Sequence, residues 1–172
     1  RDTGHAVTSD LVEITLLSLA VSGAATLISL LIGLPLGTWL ALRRFRSRHL
    51  VLSVVNTGMA LPPVVAGLVV AILLWRSGVL GGLGLMYTPG AMVIAEVVIA
   101  TPVMAGLTVA GLGQLDPRLH VQLQGLGATR WQTVWWLWRE ARLPLLAAVM
   151  AAFGSVISEV GAAMMVGGNI AH

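Results

Sequence analysis

The sequence predicts an all-α membrane protein, a polytopic helical bundle with about four transmembrane helices. Three observations predict it. Of 172 residues, 57% are hydrophobic and only 10% charged, whereas soluble domains carry roughly 25% charged residues. Mean hydropathy is +0.91. The uncharged residues form unbroken runs, and a hydrocarbon core of ~30 Å takes about 20 helical residues to cross. The chain has no cysteine, which excludes disulfides and thiolate metal sites. All its cationic side chains are arginines beside apolar runs, a placement that argues against a nucleic-acid partner. It starts at Arg1, without a signal-peptide pattern, and ends in an apolar, Gly-rich run. A C-terminally truncated fragment is expected.

Residues 1–10 read as a short polar N-terminal segment, with Ser9 or Asp10 capping a helix that starts near Leu11. From Ile14 to Leu42 there is no charge, a length that permits tilt. In water Pro35 would end this helix; in lipid a kink is tolerated where neighbours cover the freed carbonyl. Arg43, Arg44, Arg46 and Arg48 follow. They read as a solvated cluster capping a helix C-terminus, and as a cytoplasmic loop by the positive-inside rule. The N-terminus is then outside.

Leu50 to Trp75 is the second uncharged run, interrupted by Leu61-Pro62-Pro63-Val64. Adjacent prolines leave carbonyls unpaired, which suits a hinge, a re-entry or a water-lined path. Arg76 to Pro89 is glycine-rich and reads as an outer loop. Gly90 to Leu112 is the third span, expected to break at Thr101-Pro102. Glu96 lies inside it. An intramembrane carboxylate is either a functional site or a group bonded to a neighbour inside the bundle. Leu143 to Val166 is the fourth apolar segment. It carries Glu159 and many small residues, which let membrane helices approach closely.

The longest polar interruption after the N-terminal region is Asp116 to Pro144. Two spans separate it from the Arg43–Arg48 loop, so both basic loops share one side, and the insert is expected in the cytoplasm. Asp116-Pro117 is a helix start, with Asp as N-cap and Pro at the first position. A short helix runs to about Leu126, and Gly127 suits the left-handed position that ends it. Thr129 caps a second helix from Arg130 to about Arg142. Trp131, Trp135 and Trp138 fall at helical spacing on one face, which belongs at the membrane surface. Arg130, Arg139 and Arg142 would reach phosphates or protein carboxylates.

The segment Leu126-Gly127-Ala128-Thr129-Arg130-Trp131-Gln132 resembles the centre of the Glu-Ala-Ala loop of ABC importer permeases of the type I fold. Leu115-Asp116-Pro117-Arg118-Leu119 and Leu143-Pro144 fit the same pattern. Leu61-Pro62-Pro63-Val64-Val65-Ala66-Gly67 resembles the molybdate and tungstate permeases. The segment from Ile157 through Ser158-Glu159-Val160-Gly161-Ala162-Ala163 to Gly168-Asn169-Ile170 most resembles the tungstate permeases. There are departures. Val121-Gln122-Leu123 stands where Glu-Ala-Ala gives the loop its name, and the arm from Gly127 to Pro144 is about one helical turn longer. Ser155 and Ala171 stand where arginines are expected.

The resemblance implies a permease domain over residues 11–172, incomplete, with a coupling loop at 116–144. It implies a homodimer in the cytoplasmic (inner) membrane, two cytoplasmic ATPases that use ATP-Mg, and an extracytoplasmic binding protein that delivers the oxyanion, tungstate foremost. Arg118, Gln122, Leu126, Gly127, Ala128, Thr129 and Arg130 would dock the ATPase. Asn56, Pro62, Pro63, Thr101, Ser158, Glu159 and Asn169 are candidate residues of the translocation path. The chain has no phosphate-binding Gly-Lys loop, so it is expected to be a non-catalytic subunit that binds no cofactor or metal. The alternatives are a permease for molybdate, sulfate or another small solute, an ion-coupled transporter or channel using Glu96 and Glu159, and a membrane scaffold. A channel has no use for the capped two-helix insert, and a scaffold explains neither the insert nor the broken spans.

Overall fold

The computed structural model describes residues 3–159 and residue 166, with side chains from Val12 onward. Among the described residues the regular elements are seven α-helices and one 3-10 turn: α1 (Thr3–Leu42), α2 (Arg48–Ala60), α3 (Pro63–Leu74), the turn Gly81–Leu83, α4 (Pro89–Gly113), α5 (Pro117–Gly125), α6 (Arg130–Glu140) and α7 (Arg142–Ile157). Val12–Leu42 within α1 and the whole of α4 are each long and apolar enough to cross a membrane. Two bent pairs, α2 with α3 and α6 with α7, raise the number of candidate spans to four if each pair counts as one.

Three boundaries differ from the sequence expectation. Helix α1 starts at Thr3 rather than near Leu11, so neither Ser9 nor Asp10 caps it. Pro35 lies inside it without ending it, as is tolerated in lipid. Helix α4 runs unbroken through Thr101-Pro102, because a proline inside a helix removes one hydrogen bond without forbidding the next turn. The fourth apolar segment does not continue as one helix to Val166: α7 ends at Ile157, and Ser158 and Glu159 turn the chain. Their backbone amides donate to the carbonyls of Gly154 and Val156.

The break between α2 and α3 lies where the prolines put it. Leu61 and Pro62 are extended, with ψ of 127° and 129°, as a residue before proline prefers. Pro63 then opens α3 at a helix N-terminus, where its missing N–H is no loss. Neither half is long enough alone to cross the bilayer.

The helices group into two compact units. One comprises the chain up to Ile28, Pro62–Ala100 and the segment from Phe153. Its core is Val70, Ala71 and Leu74 of α3 against Ala91 and Ala95 of α4 and Val166. Glu96 is buried in this unit, 4% exposed, and Ser22 of α1 hydrogen-bonds its carboxyl. Tyr87 takes a left-handed φ of 66°, rare for a bulky residue, and its amide donates to the carbonyl of Val166.

The other unit comprises Ser29–Leu61 and Thr101–Ala152. Its helices meet at glycines. A Cβ at Gly33 would stand 2.7 Å from Met104, one at Gly37 2.6 Å from the Ala105 carbonyl oxygen, one at Gly58 2.8 Å from Pro102, and one at Gly111 2.8 Å from Pro144. Small residues allow this approach, and in lipid the resulting van der Waals contact is what holds helices together. Leu40, Val55 and Ala105 fill the space beside these crossings. Meanwhile Leu27, Ile28, Leu31 and Ile32 of α1 stay exposed, as lipid-facing side chains must.

The first basic turn has a local role. Residues 43–47 connect α1 to α2, and the Arg48 guanidinium donates through Nε to the Leu40 carbonyl at 2.9 Å. A cation thus satisfies one of the carbonyls left free at the end of α1.

Candidate functional site

The insert 116–144 is built from two capped helices. The Asp116 carboxylate accepts from the Arg118 amide at 2.8 Å, and Pro117 occupies the first helical position of α5. The far end closes as a Schellman motif: the Ala128 amide donates to the Leu123 carbonyl and the Gly127 amide to the Gln124 carbonyl, both at 3.0 Å. This motif needs a left-handed residue after the C-cap, and Gly127 has φ of 78°. Two residues later Thr129 caps α6 in a reciprocal box. Its hydroxyl accepts from the Gln132 amide, and the Gln132 side-chain oxygen accepts from the Thr129 amide. Backbone donors at the start of both helices are therefore satisfied within the insert, and the turn between the helices is fixed by local bonds.

Helices α5 and α6 share an apolar seam. Leu119 and Leu123 of α5 pack with Leu137 of α6 and Ala141, against Leu112, Leu115 and Ala41. The seam leaves the other side of α5 free. Arg118, Val121, Gln122 and Gly125 line that side at helical spacing, all exposed. Val121 is 67% exposed and Leu126 85%. An exposed leucine beside an exposed valine on a rigid, capped helix is what a protein groove receives. Of the residues expected from the sequence to dock, Arg118, Gln122, Leu126, Gly127, Thr129 and Arg130 are exposed and Ala128 is half-buried.

The tryptophan face needs correction. Trp131 and Trp135 are exposed, but Trp138 is half-buried. Its indole Nε1 donates to the Thr38 hydroxyl of α1 at 2.9 Å. Thr38 in turn donates to the Leu34 carbonyl at 2.7 Å. Trp136, which the sequence reading left aside, is exposed and stacks under Arg139 at 5.2 Å. Helical spacing alone did not separate Trp138 from its neighbours, because the direction of the seam is set by α1 and α4. Trp138→Phe keeps an aromatic ring but removes the donor and part of the indole's volume from the seam, while Thr38 keeps its bond to Leu34. A loss of about 1–3 kcal/mol is expected, read as a lowered thermal midpoint in detergent.

The described candidate path residues are divided between the two units, Asn56 and Thr101 in one and Pro62, Pro63, Ser158 and Glu159 in the other. Asn56 is exposed on α2, and Thr101 on α4 reaches the Ser29 hydroxyl at 3.4 Å. Pro62 and Pro63 make the α2–α3 break. Ser158 bonds back to the Ser155 carbonyl at 3.0 Å, and Glu159 is partly exposed in the turn after α7. Asn169 lies outside the described residues. No group of three or more metal-ligating side chains occurs among the described residues.

Residues 33–171 match the family of binding-protein-dependent transport system inner membrane components. The chain is 40% identical to a probable anion ABC transporter permease protein of Haloferax volcanii over 93% of its own length and 69% of that protein. It is 40% identical to a tungstate uptake system permease protein of Peptoclostridium acidaminophilum, over 91% of its own length and 69% of the relative. A molybdenum transport system permease protein of Haemophilus influenzae is 29% identical over 92% of the chain and 74% of the relative. The helical bundle, the paired short helices and these matches agree: the chain belongs to the family of binding-protein-dependent transport system inner membrane components.

Proposed function

We propose that the chain is the transmembrane subunit of an ATP-driven importer of tungstate, and that it works as a homodimer. Two cytoplasmic ATPase subunits bind it from inside, and an extracytoplasmic binding protein delivers the anion from outside. The observation that carries this reading is the insert: a capped helix, a Schellman turn at Gly127 and a second capped helix, with Leu126 and Val121 turned outward. A chain that moved ions alone would have no use for a rigid apolar knob on a soluble insert. Closure of the ATPases on ATP pushes α5, and the seam through Leu112, Leu137 and Ala41 passes the movement to α4 and α1. Coupling of this kind travels through packed elements.

The path lies along Asn56, Pro62, Pro63, Thr101, Ser158, Glu159 and Asn169 of the two copies. Among the described residues no arginine sits mid-span to hold an anion, so selectivity rests with the binding protein. The relatives named for tungstate and for an anion favour tungstate over molybdate or sulfate. The insert, its ATPase and the Arg43–Arg48 turn are on the cytoplasmic side, as the arginine bias favours.

A photo-crosslinker at Leu126 tests the reading in the reconstituted transporter. It is expected to capture the ATPase, and a crosslinker at buried Thr133 is not. Capture from neither position sinks the docking assignment. Uptake of labelled tungstate into the same proteoliposomes, with molybdate and sulfate as competitors, decides the anion.

A further inference from the structure

Helix α6 has a second face that docking through α5 does not use. Thr133, Leu137 and the adjoining Ala141 are buried in the seam. Opposite them, Trp131, Trp135 and Arg139 recur at four-residue spacing, with Gln132 and Trp136 alongside. Trp131 is 84% exposed, Trp135 63% and Trp136 48%. The buried side takes its contacts from the ends of α1 and α4 and from α5, so the tryptophans turn away from all three. Three exposed indoles on one short helix form an apolar patch that an aqueous surface does not keep.

The direction of α6 supplies the occupant. It meets α7 at a bend of 75°, and after Arg142 α7 carries no charge. The bend turns α6, with its polar residues and tryptophans, away from the direction that the apolar half of this pair takes. Indole rings favour the headgroup zone, where the ring is in an apolar setting and the N–H stays wet. The guanidinium of Arg139, held over Trp136 at 5.2 Å, adds a fixed cation at the same depth. Its charge complements a phosphate. Glu140, the one acid of α6, is also exposed, but it follows the buried side round the helix rather than joining the Trp131–Trp135–Arg139 row.

We propose that Trp131, Trp135, Trp136 and Arg139 seat α6 in the headgroup zone of an anionic bilayer. Helix α5 carries the ATPase, and α6 rides on lipid. The seat holds one end of the insert at a fixed depth, so that force on α5 turns the seam instead of displacing the whole loop. It rests on the membrane reading of the chain and not on the identity of the transported anion.

The test uses the full permease in nanodiscs, with and without its ATPase. Wild type and the W131F/W135F/W136F variant differ only in these indoles, so their difference spectrum isolates the three. Lipids brominated close to the headgroup are expected to quench that difference emission at least about twofold, and acrylamide to quench it weakly, whether or not the ATPase is present. Quenching by acrylamide as strong as for free indole overturns the proposal. So does protection that arises only when the ATPase is added, which assigns the face to protein docking. The single variants W131F and W135F give the same subtraction if the triple variant fails to assemble. R139Q is expected to lower the phosphatidylglycerol retained over phosphatidylcholine, read by native mass spectrometry, by about half. Unchanged retention removes the phosphate contact from the proposal and so overturns its anionic part.

Discussion

Gly127→Val is expected to reduce transport on the order of tenfold while membrane insertion stays normal. The reason is purely conformational. Gly127 has φ of 78°, and no atom lies within 4 Å of where its Cβ would stand. The new side chain has room, but its backbone does not suit. A left-handed L-residue costs roughly 1–2 kcal/mol, and β-branching raises the cost; about 1.4 kcal/mol is a tenfold change in an equilibrium. Leaving the left-handed region breaks the paired bonds from Ala128 and Gly127 to Leu123 and Gln124, so α5 and α6 lose their mutual angle. Asparagine visits this region more readily, so Gly127→Asn is expected to retain most of the activity. Equal uptake by the valine variant and wild type, in proteoliposomes with ATPase, would falsify the coupling role.

Gly37→Val is expected to damage folding rather than coupling. Its Cβ would lie 2.6 Å from both the Ala105 carbonyl oxygen and the Thr108 Cβ. The first is backbone within α4, so no rotamer change relieves it. Overpacking of this kind costs typically about 1–3 kcal/mol, and a branched side chain meeting a carbonyl belongs at the upper end. The measurement is the monodisperse fraction and thermal midpoint in detergent. Gly23→Ala is the control: it lies on the same helix, and nothing stands within 4 Å of the added atom. The control is expected to match wild type or exceed it slightly, since alanine favours the helix by about 1 kcal/mol. A Gly37→Val protein as stable as the control would mean that α1 and α4 do not meet at this crossing.

The local features of the insert were readable because their chemistry is local. Asp116-Pro117, Gly127 and the Thr129–Gln132 pair each act within four residues, and the structure has each cap where those residues place it. The α2–α3 break was equally readable, since Pro62 and Pro63 constrain their own neighbours. What depends on a distant partner was not. Gly33 and Gly37 carry no sign of a partner in the sequence, yet they are contact points for Met104, Ala105 and Thr108. Trp138 looked like a lipid-facing ring and is instead bonded to Thr38, a hundred positions away. Pro102 looked like a break and is not one. Glu96 was visible as an intramembrane acid, but its neighbour Ser22 lies on another helix.

The length of α1 has a consequence for the bilayer. Its 40 residues extend about 60 Å at the usual helical rise, twice the ~30 Å of hydrocarbon available. Even the apolar part, Val12–Leu42, is longer than that thickness, so it must lean or project. The lean answers to bilayer thickness as well as to the packing of neighbouring helices, and the same helix carries Gly33, Gly37 and Thr38, the points that α4 and Trp138 hold. Acyl-chain length therefore becomes an input to this protein. A thicker membrane draws α1 upright, a thinner one lays it over, and each degree of that change arrives at the crossing with α4.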